Sequence, residues 1–217
     1  MATKRKKKVK KAKAAIPKSF KAFRIHNDGE GYRSGIAEIG IDDLSEGDVV
    51  IRGEWSGINY KDALAATGKG KILKRFPLNG GIDVAGEVVT SQSKRFKEGD
   101  KVLVTGCHLS EKFDGGYSQY LKLRSEDVVP LPDGLTTREA MGIGTAGFTA
   151  AIALYRMEAL GQKPEAGPIV VTGATGGVGS FAIDILTSAG YEVHAITGKP
   201  EQFDYLEDLG ARQCISR

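Results

Sequence analysis

Cysteine and histidine are scarce in this 217-residue chain. Cys107 and Cys214 stand far apart and neither belongs to a C-x-x-C pair. A disulfide framework and a zinc knuckle are therefore not expected, and a reducing, cytoplasmic setting is. His26, His108 and His194 are isolated, and Cys107-His108 is an adjacent pair rather than a spacing that converges on one ion, so no metal site is expected. No apolar run approaches the length of a membrane span. Acidic residues are missing from positions 1–18, where nine cations lie (Lys4, Arg5, Lys6, Lys7, Lys8, Lys10, Lys11, Lys13 and Lys18). Taking those nine from the formal net charge of +4 leaves the rest of the chain at −5, which argues against a nucleic-acid-binding body.

The basic segment 1–18 is mostly Lys and Ala, with too little apolar surface to offset its ordering entropy, and is expected to be a disordered tail. It has neither the apolar centre of a secretory signal nor the Arg/Ser richness of a transit peptide. A solvated tail is its plain reading; Lys4–Lys8 as a localisation or polyanion-binding patch is the other. The remainder is long enough for one or two domains. From Phe20 it breaks into short β-type runs separated by turn signals. Strands are predicted over Phe20–His26, Gly35–Ile41, Val49–Ile58, Gly80–Val89, Lys101–Val104, Gly115–Leu121 and Val128–Leu131, with a short helix from Asn59 to Ala66. A helical region starts at Leu135. The expected organisation is thus a β-rich domain over residues 19–143 and a βαβ-type domain over 144–217.

The second part is organised around Ile169-Val170-Val171-Thr172-Gly173-Ala174-Thr175-Gly176-Gly177-Val178-Gly179-Ser180. A β-branched run, a glycine cluster and then helical spacing from Phe181 make strand, tight turn and helix. That is the context in which a glycine loop holds a pyrophosphate at a helix N-terminus. Against G-x-G-x-x-G the chain reads Ala174, Gly176, Gly179; it also fits T-G-x-x-x-G-x-G through Thr172, Gly173, Gly177 and Gly179. A second strand is predicted at Glu192–Ile196. An NAD site would place Asp or Glu about 20 residues beyond the glycines; here stand Thr197-Gly198-Lys199, which suit a 2′-phosphate and favour NADPH. Gln213–Ser216 reads as a third strand ending at Arg217.

The glycine loop comes late, after the β-rich part, which argues against a short-chain dehydrogenase. Gly47-Asp48-Val49, Asn59-Tyr60-Lys61-Asp62, Pro77 with Gly81-Ile82-Asp83-Val84-Ala85-Gly86, Gly99-Asp100-Lys101-Val102, Gly115-Gly116 and Gly144-Thr145-Ala146-Gly147-Phe148-Thr149-Ala150 together resemble the medium-chain dehydrogenase/reductase superfamily. Asn59–Asp62, Ile143–Ala150, Val170–Gly179 and Thr197–Lys199 resemble its zinc-free quinone oxidoreductase branch, and within it the NADPH-dependent acrylyl-CoA reductases. The resemblance implies an α/β fold: a GroES-like β domain followed by the first half of a Rossmann domain.

Several functional expectations come from the same resemblance. Hydride would pass from NADPH to the β-carbon of an α,β-unsaturated thioester, with protonation at the α-carbon; a quinone or other enone is the alternative acceptor. Tyr60 would meet the nicotinamide end, Asn59 and Asp62 would shape that wall, and Thr145 with Gly147 would border the cleft. Thr175, Gly176, Gly177 and Val178 would hold the pyrophosphate; Thr197, Gly198 and Lys199 would hold the 2′-phosphate, and Arg217 would reach the same phosphate or stack on adenine. Zinc-bearing relatives carry Gly-His-Glu where this chain has Gly81-Ile82-Asp83, and the four-cysteine lobe is missing. A full dinucleotide fold has six strands, so the chain is expected to be C-terminally truncated, with a homodimer as the full-length form. A non-enzymatic reading also stands: a truncated cofactor-binding or scaffold protein tethered to nucleic acid or an acidic surface by its basic tail.

Overall fold

The computed structural model describes residues 16–217; the tail expected to be disordered lies, up to residue 15, outside the described residues. Phe20 begins an alternating segment whose inward side chains are buried. This strand, β1 (Phe20–Asp28), pairs antiparallel with β2 (Gly31–Ile39) along its whole length, from Phe20↔Ile39 to Asp28↔Gly31. The full pairing moves the start of β2 ahead of the predicted Gly35, because Gly31, at φ +90°, closes the turn immediately before it.

Next come β3 (Val49–Trp55), α1 (Tyr60–Thr67), β4 (Leu78–Asn79), β5 (Asp83–Ser91), β6 (Lys101–Thr105), β7 (Tyr120–Leu123) and β8 (Val129–Pro130). The strands form an antiparallel three-stranded sheet, β2-β1-β4, and an antiparallel five-stranded sheet, β7-β3-β5-β6-β8. Val49, Ile51, Val84, Val88, Val102, Val104 and Leu121 have no exposed surface and form the core of the larger sheet. Each such burial contributes about 1.5–3 kcal/mol.

Two predicted strands start several residues later than their sequence pattern, while those predicted at Val49–Ile58 and Val128–Leu131 shorten to Val49–Trp55 and Val129–Pro130. Gly80–Ile82 is not strand, because Gly81 takes φ +94°. Gly115–Gln119 joins no ladder beyond a single bridge from Ser118 to Ala22, and regular pairing resumes only at Tyr120.

The chain then enters α2 (Thr137–Ala159), which is broken at Gly144 (φ 51°, ψ −158°), the first residue of the predicted second domain. It continues through β9 (Ile169–Thr172), α3 (Gly177–Ser188), β10 (Val193–Thr197), α4 (Phe203–Asp208) and β11 (Gln213–Ser216). The three strands are parallel in the order β11-β10-β9, the arrangement of the first βαβαβ half of a dinucleotide-binding fold. Their core is Ala174, Ile183, Leu186, Val193, Ala195 and Leu206.

The structure divides into two compact units. One holds the described residues up to Ser56 together with Tyr60–Arg138, the other Gly57–Asn59 and Glu139–Arg217. Among the described residues no helix is long and apolar enough to cross a membrane.

Candidate active site and dinucleotide site

Helix α1 begins at Tyr60, an Ala-rich turn with Asp62 near its positive end, and stops where Gly68 turns at φ +70°. Asn59 is half-buried just before it, whereas Tyr60 is 81% exposed. Asp62 is buried, and its Oδ1 accepts the Ile82 N–H at 2.9 Å. Lys61 Nζ lies 3.2 Å from Glu111 Oε2. Both residues after Tyr60 are therefore clasped, and the Tyr60 ring stands out from a fixed turn.

The partner of Asp62 is held by two glycine pairs. Gly116 N–H donates to Gly81 O at 2.8 Å and Tyr117 N–H to Gly80 O at 2.9 Å. A Cβ on Gly115 would fall 2.3 Å from Gly81 O, and one on Gly116 2.0 Å from Asp83 O, so only glycine permits this approach. The contact seats Tyr117, which bonds Asp62 through its hydroxyl. Burial first, then the charges of Asp62 and Asp83, push ionisation of its phenol well above the usual tyrosine range. Ser56 Oγ donates to Asp83 O at 2.6 Å. Tyr117 and Asp83 belong to this cluster although the sequence reading assigned them no role. The Gly80-Gly81 and Gly115-Gly116 pairs were the available signal.

The second cluster lies at the C-terminal ends of β9, β10 and β11. Gly173 turns at φ +61° and its carbonyl accepts Gly176 N–H at 2.9 Å. The left-handed position thus falls on Gly173, so Ala174, fully buried, fills the first fingerprint slot without strain. Gly176 precedes α3 with no side-chain cap, and no acid lies in the first helical turn of Gly177, Val178 and Gly179. That leaves a helix N-terminus suited to an anion. Thr175 Oγ1 and Thr197 Oγ1 are 3.3 Å apart, Lys199 N–H donates to Thr197 Oγ1 at 3.1 Å, and Arg217 N–H donates to Thr197 O at 2.9 Å. Thr175, Thr197, Gly198, Lys199 and Arg217 are thereby brought together. Thr145 follows the Gly144 break, and its carbonyl accepts Thr149 Oγ1. Its neighbour Ala146 abuts the loop, 3.3 Å from where a Gly177 Cβ would stand, while Gly147 lies against the Phe181 ring. Among the described residues, no group of three His, Cys, Asp or Glu side chains could hold a metal ion.

Residues 45–133 match the model of the alcohol dehydrogenase GroES-like domain. The chain is 46% identical over 200 residues to the acrylyl-CoA reductase AcuI of Ruegeria pomeroyi, covering 91% of this chain and 61% of that one. It is also 46% identical over 198 residues to the putative quinone oxidoreductase YhfP of Bacillus subtilis, covering 91% and 60%. The crystal structure of the yhdH oxidoreductase of Salmonella enterica in complex with NADP superposes with a TM-score of 0.88 at 42% identity, over 91% of this chain and 61% of that one. That of Bacillus subtilis yhfP with NAD bound gives 0.85 at 45%, over 91% and 60%. The chain thus spans about three fifths of the length of these relatives. The likeness covers nine tenths of this chain, the β-rich unit and the glycine loop alike, and it is to the acrylyl-CoA reductases and quinone oxidoreductases of the medium-chain dehydrogenase/reductase superfamily.

Proposed function

We propose that the protein is an NADPH-dependent reductase that adds hydride to the activated double bond of acrylyl-CoA or a similar short enoyl-CoA. The observation that carries the cofactor reading is the gathering of Lys199, Gly198 and Arg217 around Thr197, at the strand end where an NAD site would place a carboxylate. The backbone of Thr175, Gly176, Gly177 and Val178 takes the pyrophosphate. Thr197, Gly198 and Lys199 take the 2′-phosphate, Arg217 the same phosphate or the adenine face, and Thr145 is a further cofactor contact.

Bound NADPH supplies the hydride for the β-carbon of the substrate. Tyr60, exposed at the start of α1, lies against the nicotinamide end and offers its hydroxyl to the charge that develops on the thioester. Asn59 shapes the same wall. Asp62, buried on Ile82 N–H, holds the turn that presents Tyr60 rather than meeting the reacting atoms. The same reading places the protein in the cytoplasm and makes a homodimer the form of the full-length enzyme, which light scattering of that enzyme checks.

The first test is a fluorescence titration with NADPH and NADH in parallel, followed by turnover with acrylyl-CoA. Tight NADPH binding with much weaker NADH binding supports the reading; equal affinities overturn the NADPH preference. The 46% identity to a putative quinone oxidoreductase keeps a quinone or enone as the second acceptor, favoured if it outpaces acrylyl-CoA. Cofactor binding with no turnover on either would make the chain a non-catalytic cofactor-binding fragment.

A further inference from the structure

The β1–β2 hairpin, the end of α1 and the segment that follows it enclose a groove of about 500 Å³ within the β-rich unit. One wall is aromatic: Tyr32 and Phe76 meet edge to face, with ring centroids 5.7 Å apart at 83°. The Tyr32 hydroxyl donates to Ala65 O, which holds its ring against α1. Gly68 packs flat on that ring, since a Cβ there would come within 3.0 Å of it.

The rim is cationic. Lys71 and Lys74 flank Leu73, which is buried beside Ile25, Ala65 and Leu78. Ile72 N–H donates to Gly70 O at 2.8 Å and Lys74 N–H to Glu111 O at 2.8 Å. The segment is therefore seated on the core, with its two lysine side chains in solvent. Among the described residues no carboxylate pairs with Lys69, Lys71 or Lys74. Asp28 and Glu30, on the nearby hairpin tip, are engaged by Arg33. From Asp62 to Asp83 the sequence carries Lys69, Lys71, Lys74 and Arg75 and no acid, in a body that is net negative.

A groove with an aromatic wall and unpaired lysines at its mouth matches a nucleotide, whose base covers the rings and whose phosphates meet the cations. An inorganic anion would leave the rings uncovered, and an apolar ligand would leave the lysines unpaired. The groove begins at the end of α1 opposite Tyr60, and eight helical residues span about 12 Å, less than an extended pantetheine arm. We propose that this groove holds the 3′-phospho-ADP of the CoA thioester while the acyl end reaches Tyr60. The proposal rests on the enoyl-CoA reading above.

The test is calorimetric titration of the full chain and its K71E/K74E variant with coenzyme A, dephospho-CoA and NADPH. Coenzyme A should bind the parent more tightly than dephospho-CoA, and the variant should lose about tenfold or more of that affinity. NADPH affinity should not change, because neither lysine belongs to the dinucleotide site proposed above, and an unchanged urea midpoint of the β-rich unit shows that the variant folds; K71Q/K74Q serves if it does not. In turnover, KM for acrylyl-CoA should rise by a similar factor at constant kcat, while an acrylyl-pantetheine thioester is reduced equally by both proteins. Equal coenzyme A affinity in parent and variant overturns the groove and leaves the enoyl-CoA reading standing. A parent that ignores coenzyme A but reduces quinones removes both.

Discussion

At Gly179 a Cβ would stand 2.5 Å from the Gly173 carbonyl oxygen and 2.8 Å from the Ala174 Cα, both backbone atoms of the glycine turn. At Gly198 the same atom would meet nothing within 4 Å, and φ there is not left-handed. Gly179→Ala should therefore cost about 1–3 kcal/mol by overpacking and weaken dinucleotide binding. Gly198→Ala should change stability by less than about 0.5 kcal/mol; paired denaturant melts measure both. Tyr117 is the other residue whose part is specific. Tyr117→Phe leaves the Asp62 carboxylate short of a donor and should cost about 1.5–3 kcal/mol. Because burial raises the ionisation of Tyr117 in the folded state, its contribution is complete below about pH 10, where an unfolded tyrosine titrates, and is lost as pH rises further. The parent should thus lose stability above that pH more steeply than Tyr117→Phe, and absorbance at 295 nm should show one late phenol fewer in the variant.

Between β6 and β7 one buried carboxylate gathers donors from three distant segments. Asp114 accepts from Arg24 Nη1 at 2.9 Å, Ser45 N–H at 2.7 Å, Ser45 Oγ at 2.8 Å and Asn79 N–H at 2.8 Å. It joins β1, β4 and the approach to β3 just before the glycine pair that seats Tyr117. Asp114→Ala would strand Arg24 in the interior and should destabilise the β-rich unit by about 3–5 kcal/mol, seen as a lower urea midpoint with unchanged slope. Nothing local announces this residue. Between Phe113 and Gly115 it reads as a turn aspartate, because Arg24 and Ser45 are 90 and 69 positions away. The strand–turn–helix of β9 and α3 is legible because its pattern and its contacts are local. The Gly115–Leu121 run misleads for the opposite reason: its backbone pairs with Gly80 and Gly81, where the φ of Gly81 breaks any ladder. Ala174 looks like a defect in the fingerprint only until Gly173 is seen to take the strained conformation. Asn59–Asp62 could be read as a functional segment, but the burial of Asp62 and the exposure of Tyr60 depend on partners that spacing does not encode.

Each unit of the molecule has its own apolar cluster, one around Val49 and Val104 and one around Ile183 and Leu206. A ligand that binds only the native glycine loop should then act on one of two melting transitions. At a hundred times its dissociation constant 2′-phospho-ADP-ribose, which lacks the nicotinamide end, should stabilise the βαβ unit by about 2.7 kcal/mol, and scanning calorimetry should show the other transition unmoved. The parallel sheet has a further consequence at this scale. Among the described residues β9, the strand that carries the glycine loop, pairs on one side only, with β10, and Val170 on it is 55% exposed. On the preceding helix, Phe148, Ile152 and Tyr155 also face solvent at helical spacing. In a polypeptide of these residues alone, an open row of amides and carbonyls with Val170 exposed on its strand is a template for another chain's strand. Val170→Lys should lower the concentration-dependent turbidity of the 217-residue polypeptide without altering its circular dichroism. The strand that feeds the glycine loop thus leaves one side open in a polypeptide of these 217 residues, and colloidal behaviour rather than folding should limit how that polypeptide can be handled.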